Sequence, residues 1–203
     1  MSGGTVQAAV RAIRAGETVI LPTDTVYGLC TSPYRSEATE RLYRLKGRDP
    51  LQASALLAAD LDVLFECLPE LRGRAEAIVR ALFPGPYTLV LPNPARRFRW
   101  LTGANPEVLG VRVPELAGPG ASVLSQVGAV VATSANAAGG PDPARLEDVP
   151  EELRSAAAAV VDGGELPGTP STVLDFTGPE PRVLREGAAS AADAIDRVGS
   201  ALA

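Results

Sequence analysis

The sequence predicts one α/β domain with a twisted mixed sheet and flanking helices. Three observations lead there. Short apolar runs of strand length alternate with stretches whose apolar residues recur at helical spacing. Apolar residues make up 46% of the 203-residue chain and charged residues 21%, a globular balance with ample chain for a core. No Pro/Gly-rich or charged linker divides the chain, so residues 1–203 read as a single domain without internal repeats.

Val6, Ala9, Val10 and Ile13 fall at helical spacing, with Thr5 placed as an N-cap and Gly16 as the stop. Thr18 to Pro22 reads as a buried strand that runs into a polar loop, Thr23-Asp24-Thr25-Val26-Tyr27-Gly28-Leu29. A second helix spans Ser36 to Leu45, and Gly47 ends it just where Lys46 and Arg48 emerge. Leu71, Ala75, Ile78, Val79 and Leu82 mark a third helix, stopped by Phe83-Pro84-Gly85-Pro86 ahead of a strand at Tyr87 to Leu91. Val108 to Val113 is a strand carrying Arg112 between two valines; an arginine so placed is seldom buried without an anionic partner. A short helix from Val123 to Val127 leads to a strand at Ala129 to Ala132, which exits into Thr133-Ser134-Ala135-Asn136 and a Gly139-Gly140-Pro141 turn. Strands at Ala159 to Val161, Thr172 to Phe176 and Arg182 to Arg185 precede a last helix, Ala191 to Leu202, with Ala192, Ile195 and Val198 inward. Pro92 to Pro94 and Pro141 to Pro150 are loops, the second long enough to form a flap.

The chain has no histidine, and Lys46 is its one lysine among 19 basic side chains. Ser-His-Asp, Cys-His and other histidine-based acid–base schemes are therefore excluded. Cys30 and Cys67 form no CxxC and have no histidine to join, which excludes the usual zinc sites and predicts no protein metal site. A net charge of −5 argues against a general nucleic-acid coat protein while leaving room for a local basic pocket. What remains is chemistry by positioning and by cationic stabilisation of anions, as in phosphoryl and nucleotidyl transfer. In a chain so biased toward arginine, a surviving lysine suggests a site that wants a compact ammonium. The alternative is a basic residue at a helix C-terminus, favoured by the dipole by about 0.3–1 kcal/mol with no ligand. No stretch reads as a leader or a membrane span, so a cytoplasmic protein with reduced thiols is expected.

Five segments carry the chemistry: PTDTVYGL (22–29), KGR (46–48), VRVP (111–114), TSAN (133–136), and PSTVLDF (170–176) paired with VLREGA (183–188). Their order and spacing resemble those of the YrdC-like family of threonylcarbamoyl-adenylate (threonylcarbamoyl-AMP) synthases, over nearly the whole chain and in its single-domain form. The resemblance implies a concave, cation-lined cavity where L-threonine, bicarbonate and ATP give threonylcarbamoyl-AMP and pyrophosphate. It also implies a later transferase that moves the threonylcarbamoyl group to adenosine beside the anticodon of tRNA. Such chemistry gathers a carboxylate, a carbamate and a triphosphate, and calls for Lys and Arg rather than a histidine base.

By matching position, Lys46 and Arg48 are the catalytic residues, over the carbamate and phosphates. Thr25, Arg112, Ser134 and Ser171 are expected to bind threonine, with Arg112 taking its carboxylate in a fork. Arg48, Gln52, Val108, Asn136 and Arg185 are expected at ATP. Mg²⁺ is expected to arrive with ATP, held by phosphates and water. Taken singly, Thr25, Ser134 and Ser171 also fit strand-end turns, Arg185 an edge-strand charge and Asn136 a turn former. Leu57 stands where the family commonly has a histidine, and Glu115-Leu116 lies where a second often follows VRVP. These departures leave open a paralogue that binds nucleotide or RNA without threonine activity. Arg96-Arg97-Phe98-Arg99-Trp100 reads as a loop with arginines on aromatic faces, with weak stacking on RNA or a substrate lid as alternatives.

Overall fold

The computed structural model describes residues 2–203. Helix α1 (Ser2–Ala15) packs Val6, Ala9, Val10 and Ile13 inward. It is helical from Ser2, so Thr5 lies within it and is not its N-cap; Gly3 and Gly4, weak helix formers, do not break it. Strand β1 (Val19–Pro22) is followed by a tight reversal into β2 (Tyr27–Thr31), with Pro22 opposite Tyr27. Residues 27–29, expected in a loop, are therefore strand. The hairpin is hidden in the sequence because Thr23 makes the turn: its hydroxyl accepts the Thr25 and Val26 N–H groups at 3.2 Å and donates to the Val26 carbonyl at 2.7 Å.

Helix α2 (Ser36–Lys46) ends in a Schellman motif. Gly47 takes φ 66°, its N–H reaching the Arg44 carbonyl and the Arg48 N–H the Tyr43 carbonyl. Strand β3 (Ala55–Ala58) and helix α3 (Leu61–Cys67) have no counterpart among the expected elements. Helix α4 (Arg74–Leu82) starts after Leu71, which is buried outside it. Strands β4 (Tyr87–Pro92) and β5 (Val108–Arg112) follow. Helix α5 (Gly118–Val127) begins five residues ahead of its expected start, with proline in its first turn. Then come β6 (Ala129–Ser134), a 3₁₀ turn at Leu146–Asp148, α6 (Glu151–Ala156), β7 (Ala159–Val160), β8 (Thr172–Asp175), β9 (Arg182–Arg185) and α7 (Ala191–Leu202). Helix α7 buries Ala191, Ala194 and Val198, whereas Ala192 is exposed and Ile195 half-buried: the inward stripe is rotated from the expected one.

The strands form one mixed sheet in the order β7-β1-β2-β6-β3-β5-β4-β8-β9. Alternation along each strand sends Ile20, Tyr27, Leu29, Leu56, Leu89, Val111, Val131 and Leu174 to one face, which shares a continuous core with Leu42 of α2, Ile78 and Leu82 of α4 and Val198 of α7. On the opposite face Val19, Leu21, Cys30, Leu57 and Val130 meet α1 and α5. These two helices cover only one end of that face. Burial in this dry layer pushes the Cys30 thiol up to about 12, so it acts as an inert core group. No helix among the described residues is long and apolar enough to cross a membrane.

Leu82 is fully buried where α4 meets α7. Leu82→Ala is expected to lower unfolding stability by about 2–5 kcal/mol, through lost transfer energy and a residual cavity. Urea unfolding checks this, and Leu202→Ala at an exposed position serves as the near-neutral control.

Candidate active site

The uncovered half of the second sheet face forms the floor of a cavity of about 370 Å³, a size suited to a small-molecule site. Small residues make the room. Gly110 pairs with Ala55, and Ala55 with Ala132, so three adjacent strands present little or no side chain to the space. Gly28 and Ser134 pair at the next strand. Around this floor stand Arg48, Arg112 and Arg185, with Thr25, Ser134 and Ser171 between them.

Arg112, the last residue of β5, is 7% exposed. Its anionic partner is Asp24, in the β1–β2 turn, and the same nitrogen reaches the Thr25 hydroxyl at 3.0 Å. Asp24 also accepts the Glu115 N–H at 3.3 Å. Burial raises the Asp24 carboxyl above its usual range, against the pull of Arg112 and its hydrogen bonds. The Arg112 Nε is buried with no partner among the described residues, so this guanidinium keeps donor capacity for a further acceptor.

Lys46 turns out of the last turn of α2 toward the exit of β6. Its ammonium meets the carbonyl of Ser134, the carbonyl of Asn136 at 3.2 Å and the Asn136 Oδ1 at 2.5 Å. Ser134 Oγ donates to the same Asn136 oxygen at 2.7 Å, and Asn136 Nδ2 donates to the Gly140 carbonyl at 2.6 Å. Lys46 and Asn136 thus stand behind the cavity wall rather than among its lining groups. Burial, then the charge of Arg48, pulls the Lys46 pKa from its ordinary 10.5 down to about 8, with Asp142 opposing.

Arg48 does line the cavity. It reaches the Thr133 hydroxyl at 3.3 Å, the Gln52 carbonyl at 3.4 Å and the Ala53 carbonyl. Gln52 itself is exposed and lies outside the lining. The backbone of Leu51 and Ala53 packs so closely on Gly103 that a Cβ there, at φ 63°, would collide with the Leu51 carbonyl. On the far side Arg185 clamps the Ser171 carbonyl through Nε (3.0 Å) and Nη2 (2.7 Å), while the hydroxyls of Ser171 and Thr88 lie 2.8 Å apart. Val108 lines the floor, and Leu57 sits on β3 in register with Arg112. The loop 96–100 is tied down elsewhere: Arg96 pairs with Glu107, Arg97 with Glu70, and the Trp100 indole donates to the Pro33 carbonyl at 2.9 Å. Three further groups, Asp24, Thr88 and Asp142, belong to this neighbourhood without having been singled out as site residues in the sequence. For Asp24 a signal existed, since the buried Arg112 required an anion and Asp24 stands in the polar strand-end motif PTDT.

A family profile for Sua5, YciO and YrdC, described as "Telomere recombination", matches residues 11–187. The chain belongs to this family. The threonylcarbamoyl-AMP synthase of Pyrococcus abyssi is 35% identical over 179 residues, covering 86% of this chain and 52% of that protein. The chain thus spans about half the length of that relative. The crystal structure of P. abyssi Sua5 complexed with L-threonine superimposes with a TM-score of 0.86 at 31% identity, over 96% of this chain and 57% of that one. Escherichia coli YciO superimposes with a TM-score of 0.80 at 25% identity, over 94% of this chain and 92% of its own. The α/β fold and its mixed sheet are those of the Sua5/YciO/YrdC family.

Because Lys46 is the one lysine of the chain, ¹⁵N-lysine labelling reports it alone. Its ammonium signal is expected to titrate near pH 8 in the free protein. The folded state then loses this proton before the unfolded chain does, at 10.5, so stability relative to Lys46→Met rises with pH between 8 and 10.5 and is flat below. A titration at the ordinary lysine value would contradict the buried placement.

Proposed function

We propose that the protein is an L-threonylcarbamoyladenylate synthase. It joins the threonine amine to bicarbonate carbon with loss of water, and the resulting carbamate oxygen attacks the α-phosphorus of ATP, releasing pyrophosphate. The observation that carries this reading is the convergence of Arg48, Arg112 and Arg185 with Thr25, Ser134 and Ser171 in one cavity of a chain without histidine. Every reactant except the amine is anionic, and preorganised cations lower the cost of gathering that charge.

Arg112, with its unpartnered Nε, takes the threonine carboxylate, and Thr25 and Ser171 supply hydrogen bonds. Arg48 and Arg185, on opposite walls, take the phosphates and nucleotide, with Val108 along the floor. Lys46 and Asn136 hold the Ser134 loop in shape, and Lys46 adds to the positive field. Gln52 reaches ATP only if its loop turns inward. Mg²⁺ comes with ATP, and a cytoplasmic transferase receives the threonylcarbamoyl group for tRNA. A second reading, a nucleotide-binding paralogue without threonine activity, draws on Leu57 standing beside Arg112; there an apolar side chain offers threonine no hydrogen bond.

Pyrophosphate release from ATP and bicarbonate is expected to depend on L-threonine. Truncating a buried charge that binds substrate costs about 2–5 kcal/mol, roughly one and a half to three and a half orders of magnitude in kcat/KM. The double variant Asp24→Asn/Arg112→Met, which leaves no unpaired charge inside, should show that loss with its fold intact by circular dichroism. Threonine-independent or absent release in the wild type favours the paralogue.

A further inference from the structure

Asp142 is the sole carboxylate among the described cavity-lining residues, on a wall shared with Thr23, Val26 and Ser134. It is part-exposed and makes no hydrogen bond or salt bridge among the described residues. Its backbone is stiff: Pro141 and Pro143 flank it, the Pro143 carbonyl accepts the Tyr27 N–H at 2.9 Å, and Asn136 Nδ2 holds Gly140. The sequence therefore aims a fixed negative charge into a cavity whose other charged lining groups are arginines. A bare carboxylate there repels a triphosphate, unless a cation lies between them.

We propose that Asp142 contacts the Mg²⁺ that ATP carries into the cavity, directly or through one metal-bound water. The inference rests on the reading above that the cavity binds ATP. Mg²⁺ characteristically combines one or two protein carboxylates with substrate phosphates and waters. A dedicated cage is not needed, and among the described residues no cluster of three or more acidic or sulfur and imidazole ligands occurs. Asp142 lies within electrostatic reach of Lys46, which it stabilises as the ammonium. In the ATP complex the metal then takes the negative charge of Asp142, leaving the lining arginines to the phosphate oxygens.

The test is calorimetric binding of ATP to wild type and Asp142→Asn, with Mg²⁺ and in EDTA, with threonine and bicarbonate left out. Removing the carboxylate is expected to weaken MgATP binding, with apparent Mg²⁺ affinity in the ATP complex falling about 10–100-fold, and to tighten metal-free ATP, because the repulsion is gone. Equal effects with and without metal, or a loss confined to L-threonine in a parallel titration, would overturn the inference, the latter assigning Asp142 to the amine. If wild type binds ATP in neither condition, the functional reading fails and the inference falls with it; a wild type that binds MgATP while the variant behaves identically overturns the inference alone.

Discussion

The buried pair of Arg112 and Asp24 is the interaction on which the site depends. It joins two pieces of chain distant in sequence, the β1–β2 turn and the end of β5, and the Glu115 N–H just beyond β5 tightens the same junction. Taking both charges out of water costs several kcal/mol per ion, recovered only with close pairing and further hydrogen bonds. Thr25 and Glu115 supply those bonds. The guanidinium Nε still has no partner among the described residues. A carboxylate arriving in the cavity thus meets an arginine already desolvated and oriented, with little left to reorganise.

Lys46 extends the same logic to the neighbouring wall. A cation at the end of α2 gathers the oxygens of Ser134 and Asn136, groups that a strand exit would otherwise turn to solvent. Arginine would not fit this role well, since a compact ammonium accepts oxygens from several directions while a planar fork does not. The lowered pKa is the cost of holding that charge in a dry place. The lone lysine of an arginine-rich chain is explained by what surrounds its nitrogen: the oxygens it binds belong to the protein.

Much of the fold was legible because periodicity reports packing. Helix α2 and strands β4 and β5 lie where apolar spacing and Gly or Pro punctuation put them, whereas α7 and β9 have the expected bounds but a rotated inward stripe and an exposed strand respectively. Strands β2 and β3 were not legible, for different reasons. The polar residues of the β1–β2 turn bond to one another and mimic a loop, while β3 is only four residues long, too short to show a period. In the site, the need of Arg112 for an anion could be read from its position between two valines. The direction of Lys46 and the cavity position of Asp142 could not, because each depends on long-range contacts, the first to Ser134 and Asn136 and the second to Tyr27 through Pro143.

On the proposed reading threonine and ATP share one cavity, and each screens or orders groups the other uses. Calorimetric titration of ATP, with and without saturating L-threonine and with bicarbonate excluded, measures that coupling directly. The account predicts tighter ATP binding in the presence of threonine, by roughly fivefold or more. Identical ATP affinities in the two titrations would contradict it.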